Sequence, residues 1–363
     1  MNNKLIPHIA THPGELLKDE LDERNINQIG FASEISMQPT MLNEIIKGKR
    51  AITADIAILL EKALDIPADY WMNLQAQYEL DKARIKEKNI QKIQRIEKWQ
   101  IIKQYVPVRH FKKQGYFKND LEYDIKVVKD IYKINTIDQL IESIAEYKSE
   151  APAFYRKSEK LQVDEINLLG WSKLLMYRAN NEKVKSFDAN KLPELKNKLH
   201  SIFYKNSNVR EQTKKLLAEY GIKLIFQEKF EKTPVDGYSF WSQDNPAIGL
   251  TLRHKRIDNF AFTIFHELGH IYMHLQKDKT TQFIDLEKKN SSNSIKEQEA
   301  DSFAQESLIS EEQWTELISN YSGDDSIISF SKKYKINPAI PLGRLCYESD
   351  FYAFKSKIDK AIN

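Results

Sequence analysis

The spacing of apolar residues changes twice along this chain. From about residue 11 to 80 they return every three or four positions in short runs, the period of small helices with one buried face. Leu16, Leu17 and Leu21 mark the first run, after His12-Pro13-Gly14. Asn27 is placed to cap a second helix, Gln28 to Ile35. After a turn at Ser36-Met37-Gln38, a third covers Pro39 to Ile46, with proline at the first helical position, where its missing N–H costs nothing, and Gly48 at the end. Thr53 begins a fourth with Ile56, Leu59, Leu60 and Ala63 inward, and Pro67 a fifth carrying Tyr70, Trp71 and Leu74. Residues 81 to 103 predict one long helix with Ile85, Ile90, Ile93, Ile96 and Ile101 on its inner face. Further helices follow to residue 205, one of them capped by Thr136.

The second change comes after residue 209. Val209 to Tyr220 predicts a helix stopped by Gly221. Three short strands follow at 222–226, 238–241 and 247–252, with a turn at Gln243-Asp244-Asn245-Pro246 between the last two. Asn259 to His274 is apolar nearly all round, as a buried helix is. Residues 294–309 and the stretch after 311 predict more helix. The expected class is mostly α with a small β-sheet (α+β), divided into 1–80, 81–205, 206–310 and 311–363. The sheet and the buried helix form its α+β core.

Composition narrows the setting. The net charge of the 363 residues is only +3, so no global field argues for nucleic acid. Its distribution says more: residues 1–80 hold 7 Lys+Arg against 12 Asp+Glu, whereas 81–118 hold 12 against 3. One cysteine, Cys346, rules out an intrachain disulfide and a cysteine-rich zinc site. No signal-like apolar segment and no membrane-length run is present, so a cytoplasmic protein away from membranes is expected.

The buried run contains the candidate chemistry, His266-Glu267-Leu268-Gly269-His270. Residues four apart share a helix face, so His266 and His270 can hold one metal ion. Glu267, one step round, is within reach of water on that metal as a general base. Two imidazoles and a carboxylate in an apolar helix need partners, and a metal, Zn2+ by ligand type, supplies them. Structural histidines are the plainer alternative.

A catalytic zinc takes three protein ligands and leaves one position open. His274 follows His270 without the glycine turn of the metzincins, so the third ligand is sought downstream. Rotation by roughly 100° per residue along 294–309 places Glu297 and Asp301 with Ala300, Ala304 and Leu308, and Glu299 with Ser302 and Glu306 on the polar side. Glu297 is the favoured ligand, with Asp301 accepting a hydrogen bond from a ligand imidazole. Two alternatives stay open: Glu299 as ligand, and Glu297 as the end of a Ser294-x-x-Glu297 capping box. His254 and His274 are expected in supporting or surface positions. Tyr272, His254 and Arg344 are candidates for a second oxyanion donor.

In the first region, two helices joined by a tight turn would expose Gln38, Thr40, Asn43 and Lys47 on the second, the helix-turn-helix plan. Lys47, Lys49 and Arg50 cluster where DNA phosphates would lie. The module is acidic, which is a handicap for DNA binding, and the basic arm after residue 80 would offset it. A protein-binding helical module is the competing reading.

His12 to Glu15, Gln28 to Ile46, Gly48 to Asp55 and Tyr70 to Gln75 resemble the helix-turn-helix domain of HigA-type antitoxins and related regulators. Gly30 inside the second helix and Ser36 in place of the usual turn glycine depart from that pattern. Phe262 to His270, with Glu297 to Ala304, resembles the ImmA/IrrE family of zinc metallo-endopeptidases. Residues 154–158, 247–253 and 337–345 resemble members with a HigA-like domain in front. The resemblance implies a gluzincin-like domain, with His266, His270 and Glu297 on zinc and Glu267 as base. It also implies a regulator that cleaves a protein partner such as a repressor or antitoxin. The alternative is a DNA-binding antitoxin or repressor whose zinc domain is a non-catalytic sensor or toxin-binding module. DNA and a protein substrate are the expected partners, and a homodimer stands among the expectations.

Overall fold

A computed structural model describes residues 9–150, 164–251, 255–286, 295–349 and 356–363. The expectations at 154–158, His254 and Ser294 lie outside the described residues. The chain forms two compact units, Met1–Trp99 and Gln100–Asn363.

The first unit contains α1 (Pro13–Glu23), α2 (Gln28–Glu34), α3 (Pro39–Ile46), α4 (Ala54–Leu64) and α5 (Ala68–Ile85). Leu17, Leu21, Phe31, Leu42, Ile45, Ile56, Leu60 and Trp71 form its core. The helix starts follow from the local chemistry. Asn27 Oδ1 accepts from the Ile29 and Gly30 amides, and Thr53 Oγ1 from Ile56. α1 begins less commonly, with His12 Nδ1 accepting from the Gly14 amide at 2.9 Å. Gly14 is required by close packing, since a Cβ there would run into the Ile45 carbonyl of α3. Ser36, at φ 53°, takes the left-handed turn position that a glycine would fill without strain.

Two expectations change here. Leu59 points outward, 41% exposed. The long helix over 81–103 is two: α5 ends at Lys86, whose backbone is extended, and α6 (Glu87–Tyr105) follows. The isoleucines at 90, 93 and 96 step by three, so each is turned by roughly 60° from the last and the stripe drifts round the helix. Ile90 and Ile96 are exposed, and it is Ile102 that is buried.

The second unit continues with α7 (Val108–Lys113), α8 (Leu121–Tyr132), α9 (Gln139–Glu150), α10 (Glu165–Asn181), α11 (Leu192–Lys205) and α12 (Val209–Glu219). Thr136 does not cap α9; Gln139 opens that helix, its side chain accepting from the Asn135 and Thr136 amides. The sheet follows: β1 (Lys223–Phe226), β2 (Val235–Ser242) and β3 (Asn245–Leu250). Next come α13 (Ile257–His270), one π-helical turn (Ile271–Leu275), β4 (Phe283–Leu286), α14 (Ile295–Leu308), α15 (Glu311–Ser319), α16 (Asp324–Tyr334) and α17 (Ala339–Glu348). The strand order is β1-β3-β2-β4, with β1 parallel to β3 and β2 antiparallel to both β3 and β4. The protein is thus mostly helical with a small mixed sheet.

β2 and β3 are joined by the two-residue turn Gln243-Asp244, with Ser242 opposite Asn245. β4 was not expected. Its four residues are too short to show a period, and its partner β2 lies more than forty positions away in sequence. α13 packs under the sheet with Ile264, Phe265 and Leu268 in a core shared with Phe203, Leu217, Leu224 and Ile248. Gly269 lets α14 approach closely: a Cβ there would lie 3.1 Å from Ala300 Cα. That contact brings the carboxylates of α14 to the imidazoles of α13. Asn337 ties the C-terminal helices to this core, donating to the Phe203 carbonyl at 3.0 Å. No helix among the described residues is long and apolar enough to cross a membrane.

Candidate metal centre and helix-turn-helix surface

His266, Glu267 and His270 lie on the face of α13 turned to β2 and α14, all three buried. The Nε2 atoms of His266 and His270 are 3.0 Å apart. Glu297 brings one carboxylate oxygen to each: Oε2 is 3.4 Å from His266 Nε2 and Oε1 is 3.4 Å from His270 Nε2. These separations test whether a metal fits. A tetrahedral zinc with bonds of about 2.0–2.1 Å places its ligand atoms about 3.3 Å from one another. The two imidazole nitrogens and the carboxylate meet that spacing, so the donor set suits Zn2+. Glu297, partly buried, is therefore turned to both histidines. Glu299 is not at this position.

The second nitrogen of each imidazole is also engaged. His266 Nδ1 lies 2.8 Å from Asp301 Oδ1. His270 Nδ1 lies 3.3 Å from His274 Nδ1, and His274 Nε2 lies 2.8 Å from Glu299 Oε2. Glu299 was expected to face solvent. It is half-exposed, yet its carboxylate holds a buried histidine. Phe283 of β4 stacks on His270, with ring centres 4.2 Å apart and planes 11° apart.

Glu267 points to the sheet. Its Oε2 accepts from the Ser239 hydroxyl, and Ser239 Oγ also lies 3.2 Å from the Glu267 carbonyl. Its Oε1 is buried with no hydrogen-bond partner. Gly237 makes room for it, since a Cβ there would collide with Oε1. Asp285 of β4 lies with His266 and Glu267 in a second donor group. Without metal, the titrations spread apart. Burial pushes the Glu267 carboxyl up to about 8. Burial pushes His270 down to about 4. His266 is also penalised by burial, but its bonds to Asp301 and Glu297 win and raise it to about 10. Burial disfavours the Glu297 anion, but the two histidines outweigh it and hold its pKa low.

Of the suggested oxyanion donors, Arg344 is bonded elsewhere, while the Tyr272 hydroxyl is buried with no hydrogen-bond partner among the described residues. Arg344 reaches the Ile309 carbonyl, Glu311 and Glu348 and stacks on Trp314, joining α17 to the start of α15. Tyr272 packs its ring on Phe187, with centres 5.5 Å apart. Ser239, Gly237, Phe283, Asp285 and the His274–Glu299 pair were all missed in the sequence. Only Ser239 left a local trace, as a small polar residue inside the apolar run Tyr238 to Trp241.

On the first unit, Gln38, Thr40, Asn43, Lys47, Lys49 and Arg50 are all exposed. Gln38 stands at the start of α3, and the cations follow its end. Arg50 Nε is 2.8 Å from Glu44 Oε2, which offsets part of its charge.

A buried His-Glu-x-x-His helix under a small sheet, met by a glutamate from the next helix, defines a metallopeptidase-like domain. Here it follows a helix-turn-helix unit. The model of the IrrE N-terminal-like domain, peptidase M78, matches residues 218–339, and a helix-turn-helix model matches residues 17–71. The chain thus combines an IrrE N-terminal-like domain over about a third of its length with a helix-turn-helix domain in front. It is 36% identical over 75 residues to virulence-associated protein I of Dichelobacter nodosus, covering 20% of this chain and 69% of that protein. It is 31% identical over 77 residues to the uncharacterized HTH-type transcriptional regulator YddM of Escherichia coli, covering 21% of this chain and 82% of that one. Among solved structures, the Pseudomonas aeruginosa antitoxin HigA with the higBA promoter is similar at 39% identity. That match covers 21% of this chain and 83% of the other, with a TM-score of 0.20.

Proposed function

We propose that this protein is a DNA-binding regulator whose second unit is a zinc-dependent endopeptidase acting on a protein partner such as a repressor or antitoxin. The observation that carries the reading is the convergence of His266 Nε2, His270 Nε2 and Glu297 at separations of 3.0 to 3.4 Å, beside a buried Glu267. Zn2+ held by these three residues would polarise a scissile carbonyl and acidify a water molecule. Glu267 takes the proton from the attacking water and returns it to the leaving amine. Burial raises the pKa of this carboxyl in the metal-free protein; a cation bound beside it would favour the ionised form that accepts the proton. Ser239 keeps one of its oxygens fixed and leaves the other free. Asp301 holds the His266 ring. β4 is an edge strand, and an extended segment of the partner can add to it beside Phe283 and Asp285.

On the first unit, Gln38, Thr40 and Asn43 would read base edges, while Lys47, Lys49 and Arg50 meet phosphates. The helix-turn-helix match and the shared exposure of these six side chains support this part of the reading.

The test separates base from ligand. Glu267→Gln in the full chain should keep about one zinc per protein and lose cleavage of the partner protein. Loss of zinc together with cleavage would mean that Glu267 is a ligand. Zinc binding with no cleavage by the unaltered protein would favour the sensor or toxin-binding alternative.

A further inference from the structure

We infer that His274 and Glu299 form a positioning chain that fixes the proton on His270, doing through two side chains what Asp301 does for His266 through one. The inference rests on the metal-site reading above, because its purpose is to keep the His270 Nε2 lone pair turned to the centre.

The argument starts at the outer end. An ionised carboxylate only accepts hydrogen bonds. Glu299 Oε2, 2.8 Å from His274 Nε2, therefore requires that nitrogen to carry the proton. A neutral imidazole has one N–H, so His274 Nδ1 is left as an acceptor. His270 Nδ1, 3.3 Å away, must then be the donor. With its proton on Nδ1, His270 presents a bare Nε2 to Glu297 Oε1 and His266 Nε2. Asp301 imposes the same order on His266 directly. With a cation bound, the proton that His266 Nε2 otherwise shares with Glu297 would be displaced, and both routes would leave unprotonated nitrogens converging on it.

The surrounding structure holds the chain in place. His274 is buried, and it sits in the single π-helical turn after α13. Its ring centre lies 5.4 Å from that of His270. Phe283 stacks on His270 and lies 5.2 Å from the His274 ring centre, so one aromatic ring restrains both imidazoles. Glu299 itself is half-exposed. Its replacement thus alters the chain's last acceptor without opening the core.

The test uses the full-length protein with 15N-labelled histidine and long-range 1H–15N spectra of the imidazole rings, together with zinc affinity by chelator competition. The expected spectrum has the proton of His270 on Nδ1 and that of His274 on Nε2. Glu299→Ala should weaken zinc binding about tenfold and release the His274 tautomer, with the thermal unfolding midpoint of the metal-free protein unchanged. Glu299→Gln keeps an acceptor oxygen and should restore both. His274→Ala should weaken zinc by between about 10- and 100-fold. Unchanged zinc affinity in Glu299→Ala and His274→Ala would overturn the inference, as would a proton on His270 Nε2. If the unaltered protein holds no zinc, the metal reading fails. The ring spectra of the metal-free protein then still decide the chain: a proton on His270 Nδ1 supports it, and one on Nε2 refutes it.

Discussion

α3 of the first unit and α13 of the second are both short helices carrying polar side chains on an otherwise apolar sequence. They place those side chains oppositely. On α3, Leu42, Ile45 and Ile46 are buried, and Thr40 and Asn43 face out. On α13, His266, Glu267 and His270 are themselves fully buried. A polar group exposed to water needs no partner from the fold, whereas a buried one must be given its partners by other elements. The first arrangement is therefore a surface for an outside ligand to come to. The second is a site already assembled from within, by Ser239 of β2, Phe283 of β4 and three carboxylates of α14.

The sharpest way to break that contrast is to remove one assembled partner. Under the proposed reading, Glu297→Ala leaves two protein ligands and should strip zinc and cleavage together. A residue that merely opened α14 would instead cost about 1 kcal/mol of helix stability and leave metal bound. Metal analysis of the dialysed variant decides between them, and zinc retained at one per chain would take Glu297 out of the site.

The same contrast explains what could be read in the sequence. In the first unit the signals are local. Pro39, Gly48, Asn27 and Thr53 mark helix ends by their own chemistry, and α3 has the bounds its pattern predicts. The three strands and the buried helix were legible for the same reason, though not their ends: β2 starts at Val235, and Asn245-Pro246, expected in the turn, opens β3. The surroundings of α13 were not. Ser239 and Glu267 are 28 positions apart, His266 and Asp301 are 35 apart, and β4 is recruited by pairing. Helical periodicity does carry across two helices when their faces are small: Ala300 and Ala304 pointed to the side of α14 that Gly269 receives. It misjudged Glu299, because a residue at the margin of a face can still be bonded by a long side chain from the neighbouring helix. The basic run after residue 80 misled for another reason, as its charges surround the helix and leave no steady apolar stripe to fix its length.

A smaller effect should follow from touching a partner one step further out. Asp301→Ala frees the His266 ring without removing a ligand, and zinc affinity should fall by about 10- to 100-fold. Competition with a chelator of known affinity measures it. An unchanged constant would reduce Asp301 to a structural ion-pair partner. On the outward-facing helix nothing should be so sharp. Lys47→Ala with Arg50→Ala should weaken DNA binding to all sequences alike and lower the salt slope by about two at most. The Glu44 contact to Arg50 argues for less than that. Asn43→Ala should instead blur sequence preference, and band-shift assays over a salt series separate the two. If no salt-dependent DNA affinity exists, the protein-binding reading of this unit takes its place.

The smallest effect sharpens the comparison most directly, because it sets one buried histidine of the first unit against those of the second. His12 is buried like His266 and His270, but its Nδ1 serves as the cap of α1, accepting from the Gly14 amide. Its ring lies edge-on to Tyr78, with centres 4.6 Å apart. An imidazole can accept at Nδ1 only while that nitrogen is unprotonated. Burial lowers the His12 pKa below its ordinary value; Glu15 and Glu79 pull it back up, and Lys82 adds slightly to the lowering. The unfolded chain therefore takes up this proton before the folded one does, and stability rises with pH between the two pKa values. The contribution is fully present above about pH 6.5, the unfolded value, and is lost as pH falls through the depressed folded value. At pH 7.5, His12→Ala should cost about 1 kcal/mol, the ordinary worth of such a cap. The difference should shrink toward pH 5. His12→Asn supplies a cap that does not titrate, so it should hold α1 and flatten the pH dependence. Hydrogen exchange of the α1 amides at the two pH values, corrected for intrinsic rates, reads this helix apart from the rest of the chain. An equal slope in the unaltered protein and in His12→Asn would show that the ring caps α1 without titrating in this range.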